Sequence, residues 1–451
     1  MFESNLPVAV IGAGPVGLAA AAHLIARGLP VRVYEAGDVA ANVRDWGHVR
    51  LFSPWRYNVD EAAAALLRRH GWREPDPEAL PTGRDLFERY LRPLAQAPEI
   101  AGVLETGARV LAVTRLGLDK VPGRGRAERP FVLTLAGGRR DLVRAVIDAS
   151  GTWTTPNPLG AEGIPAEGEG ACDRIAYGIP NVLGRDREAY AGRSVLVVGA
   201  GHSAANVLLD LARLARTTPS PGLVWAVRGT NLARVYGGGA ADQLPARGDI
   251  GAGLRTLVES GEVALVAGFA ARKVRPDGDR VAVEGEVDGV PRTLTVERVV
   301  VATGQRPDLA LTRELRLDLD PWLECARALG PLIDPNLHSC GSVPPHGHRE
   351  LAHPEAGFYT VGVKSYGRAP TFLMATGYEQ ARSVAAALAG DLVAADDVRL
   401  VLPETGVCST NLAAEAAGCC GGPSPVEADC CVADTTAKQA GRSGCGCGAA
   451  A

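Results

Sequence analysis

The sequence predicts an α/β fold of two three-layer domains, the second inserted in the first, followed by an irregular cysteine-rich tail. Three observations predict it: a glycine motif at Gly12, a second at Gly199, and seven cysteines from Cys408 onward.

The first motif runs the apolar stretch Val8-Ala9-Val10-Ile11 into Gly12-Ala13-Gly14-Pro15-Val16-Gly17, then into the helical run Leu18 to Leu24. Glu35 closes the next apolar stretch. A strand, a G-x-G-x-x-G turn, a helix and a distal acid are what a dinucleotide requires. The glycines let backbone approach a pyrophosphate, the helix N-terminus stabilises its charge, and the acid accepts from a ribose hydroxyl. Gly12, Gly14, Pro15, Gly17 and Glu35 are therefore candidate cofactor contacts.

The second motif, Gly199-Ala200-Gly201-His202-Ser203-Ala204, follows Ser194 to Val198 and precedes the apolar helix Val207 to Leu214. Both motifs read as Rossmann-like. Here the stretch Leu223 to Val227 ends in Arg228, not in an acid. An arginine at that place suits a 2′-phosphate and so NADPH. The alternative is a solvent-exposed arginine, in a chain where arginine supplies nearly all the positive charge. Gly199, Gly201, His202, Ser203 and Arg228 are the candidate contacts.

Two further strands place the domain crossings. Val299 to Asp308 carries an A-T-G turn at Ala302-Thr303-Gly304, and Val146 to Thr152 has the same shape. The expected division is an FAD-binding domain over 1–155, an NADPH-binding domain over 190–295, a return to the FAD domain over 296–400 and a tail over 402–451. Thr303, Gly304 and Asp308 are candidate cofactor contacts, with Gly362 in an expected last strand over Gly357 to Lys364. Thr371 to Leu388 reads as a closing helix, whose N-terminus can stabilise negative charge on a reduced flavin.

Length and composition fit this plan. The chain has 451 residues and a formal charge of −4, which points to neither nucleic acid nor an anionic membrane. No apolar run is long enough to span a bilayer, and the N-terminus lacks a basic leader, so the expectation is a cytoplasmic protein.

With both glycine motifs and the A-T-G strand in place, residues 6–395 resemble the flavin-containing monooxygenases, two-dinucleotide flavoproteins that use FAD and NADPH. Arg44-Asp45-Trp46-Gly47 resembles the family's G-x-W segment beside the FAD, which makes Trp46 a candidate contact. Thr82 to Leu94 resembles its helix that opens on T-G. The resemblance implies an FAD reduced by NADPH and reoxidised by molecular oxygen, with a small-molecule substrate. It also puts a polar residue near the nucleotide at His202, a candidate for moving a proton. Trp55, Tyr57 and Asn58 either line a substrate pocket or pack.

The chain departs from that family in one fingerprint. The F-x-G-x-x-x-H segment before the second motif is missing, since no histidine lies between His70 and His202. The C-x-x-C or C-x-x-x-x-C of disulfide reductases is also missing from residues 1–400, which hold only Cys172, Cys325 and Cys340, so no dithiol relay is expected next to the flavin. The histidines His338, His346, His348 and His353 match no metal-ligand spacing.

The tail holds Cys408, Cys419, Cys420, Cys430, Cys431, Cys445 and Cys447 among Gly, Pro, Ser and Ala, a composition that builds no packed core. Adjacent cysteines pair poorly with each other, and clustered thiolates suit a soft metal or metalloid. Asp434 can cap a short helix and Gly441 end it, which brings the flanking thiols together. The pattern resembles the C-terminal cysteine-pair tails on proteins of bacterial arsenic-resistance operons, which bind trivalent arsenic through sulfur. Cys419, Cys420, Cys430, Cys431, Cys445 and Cys447 are the candidate ligands; adventitious zinc or copper(I) is the alternative.

The expected function is an FAD- and NADPH-dependent oxidoreductase of the flavin monooxygenase type, acting in arsenic or metalloid detoxification. An NADPH-dependent flavin reductase of a metalloid or thiol compound is a second reading. A third is a thiol-rich metal-binding protein whose flavin domain senses redox state.

Overall fold

The structure, a computed structural model, describes residues 6–337, 343–370 and 372–403. All seven tail cysteines, together with Cys340 and His338, lie outside the described residues. The fold class matches the expectation: two parallel sheets, each of five strands, each with its own three-stranded antiparallel sheet.

The first parallel sheet has the order Phe358–Thr360, Ala145–Asp148, Val8–Ile11, Val31–Tyr34, Leu104–Glu105. Val8–Ile11 is central, pairs on both sides and is wholly buried, which is why it reads as an unbroken apolar run. The helix Pro15–Ala26 packs on the sheet through Leu18, Leu24 and the alanines 19–22, all within 1% exposure. Its small side chains admit a second helix, Met374–Leu388, at close range: a Cβ on Gly377 would stand 2.5 Å from Val16.

The second parallel sheet has the order Ala264–Ala267, Leu223–Val227, Val195–Val198, Arg298–Val301, Ile175–Tyr177. Its helix His202–Thr217 buries Ala204, Leu208 and Leu211 against the strands. This sheet extends past the 190–295 expected for the inserted domain on both sides. The A-T-G strand does not return to the first sheet; it pairs with Val195–Val198 over Arg298 to Val301.

The return comes later. The chain between Val301 and Phe358 contributes no strand to either parallel sheet among the described residues. The expected last strand is also shorter than Gly357 to Lys364. It stops at Thr360, because Gly362, at φ +74°, turns the backbone into a 3-10 helix over Gly362–Tyr366.

Two antiparallel sheets were not anticipated. One joins Val110–Arg115, Phe131–Leu135 and Arg140–Val143; the other joins Phe269–Asp277, Arg280–Val287 and Val290–Val296. The segments that link the two parallel sheets clasp each other. Asn157 N–H donates to Gly304 O at 2.9 Å and Arg306 N–H to Thr155 O at 3.0 Å. The Thr303 hydroxyl adds a bond to Asn157 O at 2.9 Å. No described helix is long and apolar enough to cross a membrane.

Candidate functional site

The two glycine turns are built the same way. Gly12 has φ +101°, and a Cβ there would lie 2.7 Å from Ala149 O. Gly199 has φ +139°, and a Cβ there would lie 2.2 Å from Ala302 O. Each glycine is thus fixed by a neighbouring strand end as well as by its dihedral: Ala149 N–H donates to Ile11 O, and Ala302 N–H to Val198 O. The middle glycines are different. A Cβ on Gly14 or on Gly201 meets nothing within 4 Å, so these faces are open to a ligand.

Each open glycine is the N-cap of its helix with no side-chain cap, and Pro15 sits in the first turn of the first helix. A helix N-terminus without a side-chain cap, with its dipole behind it, suits a phosphate. Gly17 closes the first turn, since a Cβ there would fall 1.9 Å from Gly12 O. Ala204, fully buried, fills that place in the second.

Glu35 lies beside the first turn, half-buried. Its carboxylate accepts from Ala13 N–H at 2.7 Å and from Gly37 N–H at 2.9 Å, which holds it at the strand end where a ribose would approach. Trp46 packs its ring on Gly83, where a Cβ would come within 2.6 Å of it. Gly362 adjoins Val16, and its N–H donates to Gln380 Oε1 at 2.9 Å. Gln380, fully buried, also bonds to Ser365 and to His346. The structure therefore brings Gly12, Gly14, Pro15, Gly17, Glu35 and Gly362 to one end of the first sheet.

At the second sheet, Thr303 lies beside Gly199, with Gly304 next in the chain and near Asn157, as Ser150 lies beside Gly12. They belong to the second turn, not to a returning first domain. Ser203 is half-buried in the first turn of its helix. Arg228 is exposed at the strand end and donates to Ala161 O at 2.8 Å, which tethers it and leaves other donors. Asp308 stands apart. It is exposed and its carboxylate accepts from Ala310 N–H at 2.9 Å, a local turn.

His202 meets the first unit: its ring centroid is 5.0 Å from that of Phe52. The Arg247 guanidinium, ion-paired with Asp242 in the interior, lies 5.8 Å from the same Phe52 ring and bonds to Pro403 O. Trp55 and Asn58 pack, at 2% and 1% exposure, with the Asn58 amide on Ser53 O and Pro54 O. Tyr57 lies half-buried under the Arg56 guanidinium.

Sequence reasoning missed Asp148 and Lys364. Lys364 Nζ donates to Asp148 Oδ2 at 2.7 Å and to Ser150 Oγ at 3.0 Å, with both charged side chains at 2% exposure or less. The pair sits at the C-terminal end of the first sheet, where open α/β folds bind ligands. An acid closing a buried strand, as in Val146-Ile147-Asp148, was the available signal. Of the histidines between 338 and 353, the described three take separate partners: His346 with Gln380, His348 with Asp396, and His353 with Asp318 N–H. Burial holds His346 and His353 below the usual histidine range. Burial also pushes the Cys325 thiol up to about 12, which makes it a poor nucleophile.

Residues 7–101, which contain the first glycine turn and Glu35, match the family model of FAD dependent oxidoreductases. Over 217 residues the chain is 33% identical to an indole-3-pyruvate monooxygenase of Oryza sativa subsp. japonica, a stretch that covers 47% of this chain and 46% of that protein. The chain thus spans about half the length of that relative. It is 27% identical over 303 residues to a ferredoxin–NADP reductase of Cupriavidus necator, covering 66% of this chain and 70% of that one. In fold it is similar to the bacillithiol disulfide reductase of Bacillus cereus (TM-score 0.61, 18% identity, 85% of this chain and 99% of that chain). It is also similar in fold to a flavin-containing monooxygenase of Stenotrophomonas maltophilia (TM-score 0.52, 18% identity, 85% and 98%).

Proposed function

We propose that the chain is an FAD- and NADPH-dependent oxidoreductase of the flavin monooxygenase type, acting on a small molecule with molecular oxygen in metalloid detoxification. The observation that carries it is the repeated turn, Gly12 on Ala149 and Gly199 on Ala302, each with an open middle glycine at a helix N-terminus. Two such turns in one chain suit two dinucleotides. The names of the relatives support the same reading: one is a monooxygenase and the other uses NADP.

FAD held at the first turn would supply the redox chemistry, accepting reducing equivalents from the nicotinamide and making them available to oxygen. The chain's own residues bind and orient. Gly14 would leave room for the FAD phosphates, Glu35 would hold the ribose, and Arg228 would hold the 2′-phosphate of NADPH. His202 and Phe52 close the seam beside the second turn and narrow the access of water. Among the described residues, Cys172 and Cys325 lie in separate clusters and make no redox pair with each other. The tail cysteines supply soft ligands for trivalent arsenic, and their density is the support for a metalloid substrate.

The test uses the purified full chain. It should carry one FAD, oxidise NADPH faster than NADH, and yield less hydrogen peroxide than NADPH consumed when its substrate is present. A chain ended after Pro403 should lose arsenite binding, with a larger rise in KM than fall in kcat. Equal use of both nucleotides overturns the NADPH assignment. Stoichiometric peroxide with every substrate offered overturns the monooxygenase reading, and equal arsenite binding by both chains overturns the metalloid reading.

A further inference from the structure

Between the two units lies a cleft of about 500 Å³, lined in part by the Arg44-Asp45-Trp46-Gly47 segment and by the Thr82 to Leu94 stretch. Arg44, His48, Arg84 and Arg92 line it from the first unit, and Asn181 and Arg185 from the second. The opposing acids are Asp45 and Glu88. Four arginines against two acids leave the cleft net positive.

The arginines are available. Arg44 pairs with the largely exposed Asp38 at 3.0 Å, Arg92 with Glu88, and Arg185 with Asp186 and, at 3.8 Å, with Asp45. Such exposed pairs are worth about 0–1 kcal/mol, so they yield readily to a better anion. Arg84 is exposed, and its side chain has no hydrogen bond or ion pair among the described residues. His48 also lines the cleft, and its Nε2 is shut off from solvent with no hydrogen-bond partner among the described residues.

We propose that this cleft binds a small organic anion with a carboxylate or phosphonate-like head. Guanidinium forks match such heads with paired N–H donors, where a lysine would supply only a point charge. The volume is in the range of sites for organic ligands, so an organic body accompanies the charged head. Because Asn181 and Arg185 come from the second unit, the bound anion bridges both units beside the Trp46-Gly47 segment. This goes beyond the proposed function, which assigns no ligand to the cleft.

The test is calorimetric titration of the FAD-loaded full chain with phenylphosphonate and, separately, with benzoate. At least one should bind saturably and more weakly as salt is raised. Arg84→Ala and Arg185→Ala should each weaken that binding at least tenfold, while FAD content and NADPH affinity stay unchanged. Arg84→Lys should recover only part of the loss. Binding of neither probe overturns the proposal, as does equal binding by the variants. Competition between probe and NADPH also overturns it, since the cleft would then belong to the nucleotide. No turnover is measured, so a failed monooxygenase assay leaves this result standing.

Discussion

The rings of Phe52 and His202 meet across the seam between the two units, with centroids 5.0 Å apart and planes inclined at 47°. His202 is the first residue of the helix that follows the second glycine turn, so a side chain of the first unit touches the second nucleotide motif directly. Phe52→Ala should therefore raise the KM for NADPH several-fold and leave the FAD content of the purified protein unchanged. Steady-state kinetics with absorbance at the flavin band checks both; lost FAD with unaltered KM would place Phe52 with the other cofactor.

Gly12 and Gly14 should respond differently to alanine. At Gly12 the backbone has φ +101° and the new Cβ meets Ala149 O, so Gly12→Ala should destabilise the fold by about 1–3 kcal/mol. At Gly14 nothing obstructs the Cβ, so Gly14→Ala should keep its thermal stability without ligand and lose at least tenfold in FAD affinity. Thermal melts with flavin titration separate the two outcomes.

Arg228→Glu should reverse the nucleotide preference. The variant puts a carboxylate where the 2′-phosphate is expected, and KM for NADPH should rise at least tenfold while that for NADH changes little. Kinetics with both nucleotides measures it.

Breaking the Asp148–Lys364 pair from one side should be costly. Lys364→Met leaves a carboxylate buried without its counter-ion, and about 3–5 kcal/mol of stability should be lost. Pairing it with Asp148→Asn should restore most of that. Urea unfolding of the single and double variants reads both.

Stability should fall as pH drops below about 6.5, the free histidine value. His48, His346 and His353 are all held below that value by burial, so the unfolded chain binds more protons than the folded one in the interval beneath it. Stability then rises with pH across the interval and levels off above it. His346→Gln should flatten part of the slope, measured as Tm against pH from 5 to 8.

Much of this was legible in the chain because it depends on residues that nothing else replaces. Gly12 and Gly199 announce themselves, while Val146 to Thr152 and Val299 to Asp308, alike in sequence, each end beside one of those glycines, which their sequence alone does not say. The membership of Arg298–Val301 was not legible. An apolar run such as Val299-Val300-Val301 suits the centre of either parallel sheet, and only pairing decides between them. The Asp148–Lys364 bond spans 216 positions, and the arginine cleft draws on segments near 44, 84 and 185. Such contacts are set by the closed topology and leave no local pattern to read.

The strand orders of the two parallel sheets set the order in which the molecule can be completed during synthesis. The second parallel sheet needs nothing beyond Val301, so it can close while the ribosome is still making the rest. The first sheet must wait for Phe358–Thr360, and until then Ala145–Asp148 carries an unpaired edge. An apolar strand with an open edge is prone to mispairing. The nascent chain is thus most exposed to aggregation between the emergence of Asp148 and that of Thr360, and a chaperone that helps it would act within that window.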